Sequence, residues 1–427
     1  MTDNTGTVHT VTDNTGTDKQ TDQETDTDTD QQANQTTVDR SAGVTGPAGF
    51  RAAGIAAGIK QSGNPDLTLV VNDGPSHAAA GVFTTNKVKA APVLWSRQVI
   101  ADHQLRSVIL NSGGANACTG PEGFQDTQAT AEKVAQVLKI TPAEVAVCST
   151  GLIGERLPMP AVLSGVDKAV AALDGSQQAG FDAATAVLTT DTHAKQSWAR
   201  HPDGWSVGGF AKGAGMMAPN LATMLCVITT DADVPGDALD AALRSATEVT
   251  FNRLDIDGCT STNDTVLLLA SGASGRQPEP AEFRALLTAV AADLAKQLQA
   301  DAEGVSKEIS ITVRGAVSEA DALLAARTAA EDNLVKTALF GSDPNWGRVG
   351  AAVGRSGAEV DPDLLTVRIN GVTLLEKGRM VADRSAADLS GRDIAVVVEL
   401  GLGDGAATVL TTDLSHAYVE ENSAYSS

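Results

Sequence analysis

Lys212-Gly-Ala-Gly-Met-Met-Ala-Pro-Asn-Leu-Ala-Thr-Met-Leu225 is the most informative stretch of this chain. Gly213, Gly215 and Pro219 mark a loop, and the loop runs into the apolar segment 224–228, which reads as a buried strand. A small residue, Ala222, and then a hydroxyl residue, Thr223, stand at the mouth of that strand. The order suits a chain that cuts itself. The Thr223 hydroxyl attacks the Ala222 carbonyl, the acyl group shifts from nitrogen to oxygen, and water completes the break. Scission leaves Thr223 as a new N-terminus with its α-amine beside its own hydroxyl. An α-amine titrates near pH ~8, so one residue then supplies both nucleophile and base. Taken by themselves, the same residues also fit a plain loop leading into a core strand.

Outward from this loop, strands and helices mix in both halves of the chain. Strand-like runs precede it at 67–71, 79–83, 107–110 and 145–148. Residues 132–138 read as a helix, with Val134, Val137 and Leu138 apolar, and Thr141-Pro-Ala-Glu144 has an N-cap pattern. Beyond Thr223, residues 235–249 and 281–302 are predicted helices; Phe283, Leu286, Leu287, Val290, Leu294 and Leu298 form one face of the second. Residues 309–313 predict a strand, 320–339 a single helix, and 365–369, 394–400 and 407–410 further strands. The fold class expected is a layered α/β (mixed α+β) architecture.

Composition narrows the function. The 427 residues suffice for two or three domains, and with 42% hydrophobic but only 3% aromatic residues the core must rest on Val, Leu, Ile and Ala. A net charge of −22 argues against a nucleic-acid partner. Residues 1–42 differ from the rest: they are rich in Thr, Asp, Gln and Asn and repeat Thr-Asp-Asn-Thr-Gly-Thr at 2–7 and 12–17. They read as a disordered, solvating acidic tail. Neither a signal-peptide pattern nor an apolar run of membrane-spanning length is present, so a cytoplasmic location and no membrane partner are expected. Cys118, Cys148, Cys226 and Cys259 are widely spaced, which predicts free, mostly buried thiols and no metal site. Neither Gly-x-Gly-x-x-Gly nor Gly-x-x-x-x-Gly-Lys-Thr occurs in a setting that would bind a nucleotide cofactor.

Residues 212–224 resemble the cleavage motif of the ornithine acetyltransferases, also called glutamate N-acetyltransferases, of arginine biosynthesis. That pattern, Lys-Gly-x-Gly-Met-x-x-Pro-x-x-Ala-Thr-Met, is matched at every fixed position. The resemblance runs from about Gly43 to Ser427 and leaves only the tail outside. It implies a helix-sheet-sheet-helix sandwich with a smaller α/β lobe, self-cleaved at Ala222-Thr223. The α chain (43–222) and β chain (223–427) would stay together and pair as an α2β2 heterotetramer. It implies acetyl transfer from N2-acetylornithine to glutamate through an acetyl-Thr223 ester, giving ornithine and N-acetylglutamate in the cyclic arginine pathway. No cofactor is implied.

The resemblance also distributes roles. Ser149-Thr150-Gly151 ends a predicted strand, and by itself reads as a turn; the family places its oxyanion hole on such a Thr-Gly pair, here Thr150 and Gly151. Lys212 matches the family's active-site lysine; a cation there would lower the pKa of the Thr223 amine. Thr189, in Leu188-Thr-Thr-Asp-Thr192, reads locally as a capping turn and in the family lines the substrate pocket. Glu303 is expected at the end of the 281–302 helix, where a negative charge opposes the helix dipole; the family uses it to grip a substrate amino group. The tail Tyr418-Val-Glu-Glu-Asn422-Ser-Ala-Tyr-Ser-Ser427 assigns Asn422 and Ser427 as substrate contacts.

Ser342-Asp-Pro-Asn-Trp-Gly-Arg348 and Ser261-Thr-Asn-Asp-Thr265 also fit the family without a clear chemical role. Asp343, Asn345 and Arg348 either join a polar network beside the pocket or, on the favoured reading, support the fold. Departures from the family pattern fall at Gly114, Cys259 and Glu421. Three alternatives stay open: an aminopeptidase or amidase with the same self-cut Thr223, a non-enzymatic binding protein, and a bifunctional form that also accepts acetyl-CoA as donor.

Overall fold

The computed structural model describes residues 37–218 and 224–424; Ala222, Thr223, Ser427 and the tail up to residue 36 lie outside the described residues. In the first part of the chain β1 (Phe50–Ile55), β2 (Leu67–Asn72), β3 (Ala79–Phe83), α1 (Ala91–Val99), β4 (Ser107–Asn111), α2 (Gly120–Leu138), β5 (Val145–Ser149), α3 (Met159–Ala171) and α4 (Gln177–Ala186) follow in order. Then come β6 (Lys195–Arg200), β7 (Ser206–Lys212), β8 (Leu225–Thr230), α5 (Gly236–Val249), β9 (Thr265–Ala270) and α6 (Pro280–Ala300). Strands β1-β2-β4-β5 form one sheet and β3-β9-β8-β7-β6 a second.

The β8 strand shows how these layers stack. All six of its residues are buried. Leu225 and Val227 join a core with Leu67, Leu69 and Ile109 of the first sheet, whereas Cys226 and Ile228 point the other way, into a core with Leu243 of α5 and Leu294 of α6. Successive side chains alternate between faces, and here both faces are covered, so the strand reads as an unbroken apolar run. Helices α1 to α3 pack on the first sheet, α4 lies along β1, and α5 and α6 cover the second sheet. This is the expected helix-sheet-sheet-helix sandwich.

The smaller lobe is a third sheet with its own core. Its strands are β10 (Glu308–Ala316), β11 (Thr366–Ile369), β12 (Val372–Glu376), β13 (Arg379–Met380), β14 (Asp393–Glu399) and β15 (Gly405–Thr412), in the order β13-β12-β11-β14-β10-β15. Helices α7 (Glu319–Ala330), α8 (Asn333–Phe340) and α9 (Trp346–Gly354) pack on it, and α10 (His416–Ala424) ends the described chain. The lobe is tied back to the sandwich by Gln299 at the end of α6, whose side-chain amide donates to the carbonyls of Ile309 and Thr411.

Four expectations need correction. The single helix over 320–339 is two helices, because the Asp332 side chain accepts from the amides of Leu334 and Val335 and caps a new start. The helix over 132–138 begins at Gly120: the buried face of its first turns is Gly123, Asp126, Thr127 and Thr130, which carry no apolar periodicity. Glu303 is not in the last turn of α6, which ends at Ala300 with Asp301 as its cap, so the dipole argument belongs to Asp301 instead. Contacts of the folded body also begin ahead of Gly43: Asp39 exchanges backbone hydrogen bonds with Trp198, and Arg40 pairs with Asp293 at 2.6 Å. All four cysteines are free thiols, but only Cys148 and Cys226, on strands of the two sheets, are buried; Cys118 and Cys259, in loops, are exposed.

Candidate active site

Strands β7 and β8 are antiparallel neighbours, and Lys212 at the end of β7 lies opposite Leu225 at the start of β8. The loop between them is therefore the cleavage-like stretch, and it opens onto a cleft of about 110 Å³. Thr150, Gly151, Thr189, Lys212, Glu303 and Asn422 all line this cleft. Six of the expected site residues, scattered over 270 positions of sequence, thus face one space, while Ala222, Thr223 and Ser427 are outside the described residues.

The cleft is built around a buried chain of charges. The Lys212 ammonium donates to the Thr189 hydroxyl at 2.7 Å, lies 3.4 Å from the Thr150 hydroxyl, and pairs with Asp191 at 3.5 Å. Asp191 also accepts from the Gly213 amide at 2.6 Å and from Lys195 at 2.7 Å. Lys195 in turn pairs with Asp301 at 2.5 Å. Burial works against the Asp191 carboxylate, but Lys212 and Lys195 outweigh it and hold the carboxyl well below the usual range. Burial pushes the Lys212 pKa down, Lys195 adds to this, and Asp191 opposes it.

Thr150 follows the end of β5, where its amide donates to the Asn111 carbonyl at 2.9 Å. Gly151 has φ +129, and a Cβ there would sit 2.7 Å from the Gly114 nitrogen. Only glycine fits, and the turn leaves the Gly151 backbone facing the cleft. Gly114, one of the departures from the family pattern, donates its amide to the Thr150 carbonyl at 3.0 Å and so braces this turn. On the opposite wall, the Glu303 amide donates to the Ala214 carbonyl at 2.9 Å. Its carboxylate accepts from the Asn422 side chain at 2.9 Å. Gly215 crosses close by, where a Cβ would come within 2.2 Å of the Glu303 carboxylate.

Several residues of the site carry no role in the sequence reading. Asp191 was visible inside Thr189–Thr192 but unassigned, and Lys195, four residues on, gave no local signal. Asn263 of the 261–265 motif donates both to the Ser149 carbonyl and to the Ala115 carbonyl, each at 2.7 Å, and so ties β9 to the Thr150 turn. Lys60, half-buried with its pKa lowered by burial, donates to the Leu188 carbonyl at 2.7 Å beneath Thr189. The other unabsorbed motif is remote: the Asn345 side chain caps α9 and Arg348 donates to the Leu334 carbonyl, so these residues support the small lobe. Among the described residues, a group of metal-capable side chains, His201, Asp203 and Glu282, sits at the opposite end of the β6–β7 hairpin from the cleft. No described helix is long and apolar enough to cross a membrane.

Comparison with known proteins gives this geometry a family. The chain is 62% identical over 402 residues to the arginine biosynthesis bifunctional protein ArgJ of Mycolicibacterium paratuberculosis, covering 93% of this chain and 100% of that protein. To the protein of the same name from Thermobifida fusca it is 57% identical over 383 residues, covering 90% of this chain and 99% of that protein. Among solved structures, ornithine acetyltransferase complexed with ornithine from Mycobacterium tuberculosis is 59% identical with a TM-score of 0.43, over 44% of this chain and 100% of that one. The pattern of the ArgJ family matches residues 51–427, and with it every element that lines the cleft, so the chain belongs to the ArgJ family.

Proposed function

We propose that this chain transfers the acetyl group of N2-acetylornithine to glutamate through an acetyl ester on Thr223, after cutting itself between Ala222 and Thr223. The observation that carries the reading is the buried Lys212 ammonium, set between the hydroxyls of Thr189 and Thr150 and opposite the start of β8. A cation at that place favours a free Thr223 amine at neutral pH. Thr223 attacks the acetyl carbonyl, its amine takes the proton, and Thr150 and Gly151 hold the oxyanion. Ornithine leaves, and the α-amine of glutamate resolves the ester to N-acetylglutamate. Glu303 grips an amino group of the substrate, and Asn422 and Ser427 add contacts from the C-terminal segment.

On this reading residues 43–222 and 223–427 are the α and β chains of one folded unit, paired as α2β2, and the chemistry needs no metal or prosthetic group. A second donor is favoured by one finding: relatives at 57% and 62% identity carry the name bifunctional. Acetyl-CoA is therefore the proposed second acetyl source for N-acetylglutamate.

The decisive test is an intact mass under denaturing conditions after incubation with N-acetylornithine and no glutamate. Two chains split at 222–223, with one acetyl on the chain that starts at Thr223, are expected. Two chains without acetyl would favour the hydrolase, and one uncut chain would overturn the mechanism.

A further inference from the structure

One carboxylate in the wall of the cleft serves two lysines. Asp191 Oδ1 accepts from the Lys195 ammonium at 2.7 Å and from the Gly213 amide at 2.6 Å. Its Oδ2 accepts from the Thr189 amide at 3.1 Å and faces the Lys212 ammonium at 3.5 Å. Lys195 is the nearer cation, and it holds a second acid as well, Asp301, at 2.5 Å. Lys212 spends a shorter hydrogen bond, 2.7 Å, on the neutral Thr189 hydroxyl. The side chains of Lys195 and Asp191 are fully buried and those of Lys212 and Asp301 nearly so, so water screens these charges little.

The two lysines reach Asp191 from opposite faces of the second sheet. Lys195 opens β6 opposite Ala211 of β7, and Ala211 belongs to the core beneath α5 and α6. Phe210, two residues before Lys212, belongs to the core between the sheets, so Lys212 turns toward the first sheet and the cleft. Among the described residues that line the cleft, Lys212 is the one cation, and Lys195 is not among them. Other charged groups also face Lys212: Glu303 from the opposite wall, Lys60 from the loop after β1, and Asp264, whose pKa burial pushes well up.

We propose that Lys195 is a positioning residue for the substrate: it engages Asp191 from the far face of the sheet and so leaves the Lys212 charge open to a carboxylate that enters the cleft. The inference rests on the acetyl-transfer reading above, in which donor and acceptor both carry an α-carboxylate. One carboxylate cannot neutralise two ammonium groups. With Lys195 in place, Asp191 divides its attraction between two cations, and Asp301 takes up the remaining charge of Lys195. Without Lys195, Asp191 closes on Lys212, and an entering carboxylate meets a cation that is already paired.

The experiment measures by calorimetry the binding of two probes, ornithine and ornithinamide, the second carrying a neutral amide in place of the carboxylate. The proteins compared are the full-length wild type and the double variant Lys195→Met with Asp301→Asn, which removes one cation and one acid together and keeps the interior neutral. Ornithine is expected to bind the variant about 10-fold more weakly, while ornithinamide changes by less than about twofold. Unchanged ornithine affinity would overturn the proposal. So would an equal loss for both probes, since Lys195 would then only support the walls of the cleft. Where the double variant does not fold, judged by its thermal transition, K195Q decides by the same pair of affinities, because it keeps a donor to Asp191 and loses the charge. A wild type that binds neither probe and transfers no acetyl removes the acetyl-transfer reading itself, a different failure from wild-type binding that ignores Lys195.

Discussion

At the residue scale, the site depends on buried charges that satisfy one another. Asp191 is shared by Lys212, Lys195 and the Gly213 amide. Asp191→Asn would leave two ammonium groups underpaired in the interior, and breaking a buried pair in this way costs about 3–5 kcal/mol. Thermal unfolding of the variant at pH 7 checks this. The pH dependence has a definite sign. The folded Asp191 pKa lies below its unfolded value, so its stabilising contribution is present above pH ~4 and is lost as pH falls through the folded pKa. The stability gap between wild type and D191N is therefore expected to narrow below pH ~4. Asn263 acts through its neighbours: Asn263→Ala releases the carbonyls of Ser149 and Ala115 and lets the Thr150 turn drift. A kcat reduced about 10- to 100-fold is expected, with a smaller change in KM, read from steady-state acetyl transfer.

At the scale of elements, β5 and β8 at the cleft were legible as short apolar runs, whereas β6, β7 and β9 were not among the expected strands. The fully buried β8 announced itself through residues 224–228. The helices packed by alanine and threonine were legible as helices, but their bounds were not. The buried face of α7 consists of Ala322, Ala325, Ala326, Ala329 and Ala330, while Leu324 on the same helix is exposed. Hydrophobic periodicity weighted toward leucine therefore ran this helix on into the next. The break that follows is chemical, made by the Asp332 side chain. Asp332→Ala should destabilise α8 by about 1 kcal/mol, seen as a shift in the denaturant midpoint without a change in slope.

At the scale of the whole molecule, the sandwich and the small lobe meet around the loop after α5. The Asp255 amide donates to the Leu410 carbonyl of β15, joining the two parts. Burial, reinforced by the neighbouring Glu331, pushes the Asp255 carboxyl up to about 7. A carboxyl whose folded pKa is raised contributes stability below its unfolded pKa and loses it as pH rises through about 7. Asp255→Asn, which mimics the protonated form, is expected to raise the melting temperature more at pH 8 than at pH 5, since the loss begins at the unfolded pKa near ~4 and is complete only above about 7. Scanning calorimetry at the two pH values checks this.

The sequence by itself determined the mixed α/β class, the strand that begins beyond Thr223, and the family through residues 212–224, because these rest on local patterns of hydrophobicity and on a contiguous motif. It also named Thr150, Gly151, Thr189, Lys212, Glu303 and Asn422 by resemblance. Only the tertiary structure decided that these six share a cleft, and that Asp191, Lys195, Asp301 and Asn263 hold them there. Such partners are chosen by proximity in three dimensions: Lys195 meets Asp301 across 106 positions and Asn263 meets Ser149 across 114, and nothing in the residues between them records the contact. Burial then sets the charge each of these groups carries, and burial is a property of the packed chain.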